Sequence, residues 1–123
     1  MLRLAMLFSL ALTTAVSAQT NRTELKKADL TGTDMEVIVA VVEVPPGNSL
    51  ARHFHNGEEA VYVLEGATLL LPDGSERPFP TGAAVINVRD VPHGGFKVGG
   101  DKPLKMLTVH VIDKGKPLMM PAK

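Results

Sequence analysis

The chain has 123 residues, 45% of them hydrophobic and 21% charged, with 13 basic side chains against 13 acidic ones and no cysteine. A neutral balance without basic clusters excludes the electrostatic footprint of a nucleic-acid binder, and the supply of Val, Leu, Ile and Met excludes a disordered chain. The lack of cysteine excludes disulfides, thiolate metal sites and thiol chemistry.

Residues 1–18, MLRLAMLFSLALTTAVSA, hold Arg3, an apolar stretch from Leu4 to Leu12, and the small run Val16-Ser17-Ala18 before Gln19. This is the pattern of a secretory signal peptide cleaved after Ala18. The stretch falls short of the roughly 18–20 apolar residues of a bilayer span, and no cysteine is present to carry a lipid. Cleavage removes Arg3, so the mature chain carries 12 basic and 13 acidic residues, a net charge of −1. The expectation is an exported protein, periplasmic or secreted, with no membrane partner after processing. Its stability must then come from its core, from association or from a metal.

Residues 19–34 read as an N-terminal segment or edge strand. Residues 35–44, MEVIVAVVEV, are rich in β-branched types and stop at Pro45-Pro46-Gly47, which cannot extend a ladder. Further strands are expected at Leu50–His55, Ala60–Leu71, Arg77–Phe79, Ala83–Val88, His93–Val98 and Leu104–Ile112. Turn chemistry separates them: Asn56-Gly57, Pro72-Asp73-Gly74, Pro80-Thr81-Gly82, Gly94-Gly95 and Gly99-Gly100-Asp101-Lys102-Pro103. No apolar pattern recurs at helical spacing, so the fold class is all-β, a sandwich or barrel. Residues 114–123 are expected to be a loose C-terminal tail. The strand 35–44 is apolar on both parities, which calls for cover on both faces where one small barrel covers one.

Chemistry concentrates on three histidines. His53 and His55 stand two apart on an expected strand, on one face and roughly 6–7 Å apart along the backbone. A carboxylate comes next at Glu58 or Glu59, and His93 opens a later strand. Three nitrogens and one oxygen suit a divalent transition metal of borderline hardness. Local turn chemistry leaves the carboxylate open: a two-residue Asn56-Gly57 hairpin would set His55 opposite Glu58, and a three-residue loop would set it opposite Glu59. His110 shares strand parity with Met106, Thr108 and Ile112. It reads either as an accommodated interior histidine or as an inward donor or proton carrier. Arg89-Asp90 reads as a solvated turn pair, and Met119 and Met120 as cover for apolar surface.

The spacing Gly47-x5-His53-x-His55-x3-Glu59-x6-Gly66 resembles the first signature motif of the cupin superfamily at every defined position. The second motif, Gly-x5-Pro-x-Gly-x2-His-x3-Asn, is matched only in part: Val88, Asp90 and Lys97 replace its proline, second glycine and asparagine, while His93 remains. The resemblance covers roughly Met35 to Ile112 and places a cupin domain at residues 35–113. It implies a double-stranded β-helix, or jelly roll, that holds one divalent transition metal (Fe, Mn, Ni, Cu or Zn) on His53, His55, Glu59 and His93. It selects Glu59 over Glu58 and suggests a homodimer. It leaves two functions open: a metal-dependent, dioxygenase-like enzyme acting on a small oxygen-bearing organic molecule, or a non-catalytic protein that binds a small ligand or metal in the same pocket.

Overall fold

In the computed structural model, residues 19–123 are described; the expected signal segment, residues 1–18, lies outside them. Period-two alternation organises the described chain. In the strand Leu104–Asp113, Leu104, Met106, Thr108, His110 and Ile112 are buried while their neighbours are half-exposed, as expected of a strand with one face on a core. The strands in chain order are β1 (Asn21–Asp29), β2 (Met35–Val44), β3 (Ser49–Leu50), β4 (His53–Phe54), β5 (Gly57–Glu65), β6 (Ala67–Leu70), β7 (Glu76–Phe79), β8 (Ala84–Asn87), β9 (Phe96–Val98), β10 (Leu104–Asp113) and β11 (Met120–Pro121).

A five-stranded sheet runs β1-β2-β10-β5-β8, a four-stranded sheet runs β3-β9-β6-β7, and β11 pairs with β4; every pairing is antiparallel. Val44, Val61, Val63, Leu104 and Met106 from the larger sheet meet Leu69 and Val98 from the smaller one, with Phe79 and Phe96 packed at the margin. Among the described residues the fold is an all-β, helix-free jelly roll around an apolar core, and the buried polar side chains His53, His55, Glu59 and His110 cluster together.

Two expected long strands are divided. Ala60–Leu71 breaks at Gly66, where the chain leaves the larger sheet (β5) for the smaller (β6), and the Gly66 amide donates to Thr81 Oγ1 at 3.0 Å. Leu50–His55 breaks at Ala51-Arg52, because Ser49-Leu50 pairs with β9 while His53-Phe54 pairs with β11. Apolar alternation continues through both corners, so periodicity cannot mark where a strand changes sheet.

Both ends of the described residues pair with the body of the fold. Residues 21–29 form a wholly exposed edge strand on β2, and Lys27 there pairs with the buried carboxylate of Glu36 at 3.1 Å. The C-terminal segment is no loose tail: Ala122 N donates to Arg52 O at 3.1 Å, and Asn56 Nδ2 donates to Pro117 O at 2.9 Å. Its anchors are hydrogen bonds to residues more than sixty positions away, and no local pattern announces them.

Candidate metal centre

His53 is placed by β4 and His93 by the loop before β9, and the two backbones exchange hydrogen bonds: His53 N to His93 O at 2.9 Å and His93 N to His53 O at 2.8 Å. Residues in such a reciprocal pair project to one side of the ladder, and the imidazole centroids lie 4.3 Å apart. His55 comes two residues after His53 on the same face, its ring 4.9 Å from each of the other two. Gly94 makes room for this. Its φ of +78° favours glycine, and a Cβ there would lie 2.8 Å from Ala51 O and 3.2 Å from His53 Nδ1.

Glu59 comes from β5. There Gly57, Glu59, Val61 and Val63 are buried, whereas Glu58 is exposed, so the inward carboxylate is Glu59. No Asn56-Gly57 hairpin forms, because β4 and β5 belong to different sheets and do not pair. The parity of β5 is set by its two real neighbours, which put Glu59 beside His110 on β10 and Asn87 on β8.

The donor atoms converge. His55 Nε2, His93 Nε2 and Glu59 Oε2 stand 3.2 Å from one another on all three edges. The opposite ring nitrogens bond backbone carbonyls, which only accept: His53 Nδ1 donates to Ala51 O at 2.7 Å, His55 Nδ1 to Leu118 O at 2.6 Å and His93 Nδ1 to Val91 O at 3.3 Å. In the neutral imidazoles this leaves Nε2 as a bare lone pair. Two lone pairs and a carboxylate oxygen facing one another repel unless a cation or a proton lies between them. An ion bonded at about 2.0–2.2 Å keeps neighbouring donors roughly 3 Å apart, so the triangle has the size of a coordination face. The His/Glu cluster is thus compatible with a metal ion.

Without an ion, a proton between His55 Nε2 and the Glu59 carboxylate takes the cation's place, turning the contact into a hydrogen bond and favouring imidazolium beside carboxylate. Burial pushes Glu59 toward protonation, but hydrogen bonds with His55 and His93 outweigh it and hold the carboxyl well below its ordinary range. Burial lowers His53 despite its bond to the Ala51 carbonyl, helped by the adjacent imidazoles, which favours the neutral ring. Burial also weighs on His55, yet Glu59 and the Leu118 carbonyl raise it on balance. Desolvation lowers His110 to about 4.

Several contributors carry little or no signal in the sequence. Asn87 Nδ2 donates to Glu59 Oε2 at 2.8 Å and fixes the carboxylate; its only signal is a polar residue after the apolar run Ala84-Val85-Ile86. The Leu118 carbonyl orients His55 from the C-terminal segment. Arg89 and Asp90 lie in a turn, as expected, with Asp90 exposed, and Arg89 makes a bidentate bridge to Asp113 at 2.8 and 2.9 Å. Asp90 stands where the second cupin motif has a glycine and takes φ +61°, a conformation Asp tolerates better than most residues.

Two cavities flank the cluster. One, of about 140 Å³, is bounded by His53, His93, Asn87, Phe79 and Arg77. The other, of about 160 Å³, is bounded by His55, His110, Leu118, Met119 and Arg22. Glu59 borders both.

A family model described as a cupin domain matches residues 40–110. Among solved structures, the polyketide cyclase RemF from Streptomyces resistomycificus is 31% identical, with a TM-score of 0.62 over 85% of this chain and 72% of that one. The DMSP lyase DddQ from Ruegeria pomeroyi is 21% identical, with a TM-score of 0.63, and the match covers 85% of this chain and 52% of that enzyme. A Klebsiella pneumoniae protein with a double-stranded β-helix domain is 17% identical, with a TM-score of 0.62 and coverage of 88% and 90%. No curated protein matches the chain.

Proposed function

Because the chain belongs to the cupin domain family, we propose that it is a metal-dependent enzyme in which His53, His55, Glu59 and His93 hold one divalent transition ion beside a small oxygen-bearing organic substrate. The observation that carries this reading is the 3.2 Å triangle of His55 Nε2, His93 Nε2 and Glu59 Oε2, with each Nδ1 committed to a carbonyl. A bound ion of this kind supplies Lewis-acid polarisation of a substrate oxygen, or a position for dioxygen next to it. The chain supplies the rest. Val61, Leu69 and Phe79 give the substrate body an apolar wall, and Asn87 keeps the Glu59 carboxylate in place. Arg77 and Arg22 enter no ion pair among the described residues and border the two cavities, so they suit an enolate, phenolate or carboxylate substrate.

Two kinds of turnover are open to such a site. The 31% identity to a polyketide cyclase favours non-oxidative chemistry on an enolisable carbonyl compound, while the mixed nitrogen and oxygen donor set equally suits oxygen-dependent cleavage. Protein loaded in turn with iron, manganese, nickel, copper or zinc is to be offered phenols, flavonols and diketones, with and without oxygen. Oxygen uptake coupled to substrate loss supports the dioxygenase-like reading, and equal anaerobic loss supports the non-oxidative one. Ligand-induced changes in the metal spectrum without turnover would establish the non-catalytic binder instead.

Export and pairing belong to the same proposal. Removal of residues 1–18 leaves a mature chain that starts at Gln19, and the intact mass of exported protein is expected to match it; a species that retains Met1 would refute this. The outer face of the larger sheet carries a shallow apolar groove formed by Ala60, Tyr62, Ala84, Ile86, Leu107 and Val109, with Ile86 65% and Tyr62 48% exposed. A second copy of the chain is the proposed cover. Sedimentation at micromolar concentration is expected to show a dimer, and Ile86→Asp a monomer; a monomeric parent protein would count against the homodimer.

A further inference from the structure

His110 is the one ionisable side chain on the inward face of β10, directly opposite Glu59 in the register with β5. It is 2% exposed, and neither ring nitrogen has a hydrogen-bond partner. That separates it from His53, His55 and His93, each of which has its Nδ1 tied to a carbonyl. Buried polar atoms without partners are destabilising, so a site that keeps two of them calls for a physical reason.

The surroundings supply one for Nε2. His110 Nε2 lies 3.3 Å from Glu59 Oε1, whereas His55 and His93 meet the other carboxylate oxygen, Oε2. The contact is close but not aligned as a hydrogen bond, since Nε2 remains without a partner. Donor atoms roughly 3 Å apart that do not point at one another are what a shared cation produces, because each lone pair aims at the ion. His55, Glu59 and His110 each offer one donor atom within 4.8 Å of the others, as do His53, His55 and His93. The two triads share His55, and the His55 and His110 ring centroids are 4.6 Å apart.

We propose that His110 is a fifth protein ligand, binding through Nε2 on the far side of the edge made by His55 and Glu59. The proposal rests on the metal-centre reading and extends it. Five protein donors leave a six-coordinate ion one open position, so a substrate docks through a single oxygen. With four donors, two positions remain and a chelating substrate fits.

Cobalt(II)-loaded mature protein tests this by proton NMR, because each coordinated imidazole contributes one exchangeable, paramagnetically shifted ring N–H resonance. Four such resonances are expected from the wild type and three from His110→Gln, with cobalt affinity 10- to 100-fold lower in the variant. Three resonances in the wild type, or an unchanged spectrum in His110→Gln, would overturn the role of His110 and leave the metal centre standing. No shifted resonances in the wild type would overturn both. The wild-type count decides the question even where the variant does not fold.

Discussion

Replacing Glu59 by Ala is expected to weaken divalent-metal binding by at least about 100-fold, while Glu58→Ala leaves it within about twofold. Both residues lie on β5, but only Glu59 is buried, 3.2 Å from His55 Nε2 and His93 Nε2, whereas Glu58 faces solvent. A ligand that binds only the folded state stabilises it by about 2.7 kcal/mol when present at 100 times its Kd. For a domain of this size that corresponds to a rise in Tm of about 10 °C or more, which Glu59→Ala should forfeit. The difference in Tm between the two variants should shrink sharply once a chelator is added. Equal metal affinity and equal Tm in the two variants would remove Glu59 from the site.

Gly57→Ala is expected to destabilise the fold by about 3 kcal/mol and to weaken metal binding with it. A Cβ at Gly57 would collide with the Val111 carbonyl oxygen and come within 2.6 Å of Ile112 Cα and 2.8 Å of the Val111 carbonyl carbon. These are backbone atoms of β10, so no rotamer change relieves the clash; β5 would have to move away from its neighbour. That movement would disturb the register Glu59↔His110 two residues on, and with it the carboxylate. Denaturant midpoints and a metal titration measure both effects. A loss of stability below about 1 kcal/mol would show that β10 yields at this point.

Much of the strand content is legible in the sequence because alternation is a local property. Met35–Val44 matches β2 residue for residue, and Leu104–Ile112 matches β10 to within its last position. The spacing of His53, His55, Glu59 and His93 marks the residues that the fold brings together. Positions 66 and 51–52 read as strand interior yet form corners, since a corner between sheets keeps the apolar pattern and changes only the pairing partner.

The sequence by itself determined which residues could do chemistry here and how they are spaced along the chain, for these are matters of side-chain type and interval. Tertiary structure decided which way each one faces and what holds it. Glu59 rather than Glu58 points inward because β5 is clamped between β10 and β8, and that pairing joins residues 28 and 51 positions apart. His93 reaches His53 through a backbone pair across forty residues. Asn87, the Leu118 carbonyl and the His110 ring, which has no hydrogen-bond partner, enter the site by the same kind of long-range contact. Register is a property of two strands at once, and hydrogen bonds and core burial select it only when both are present.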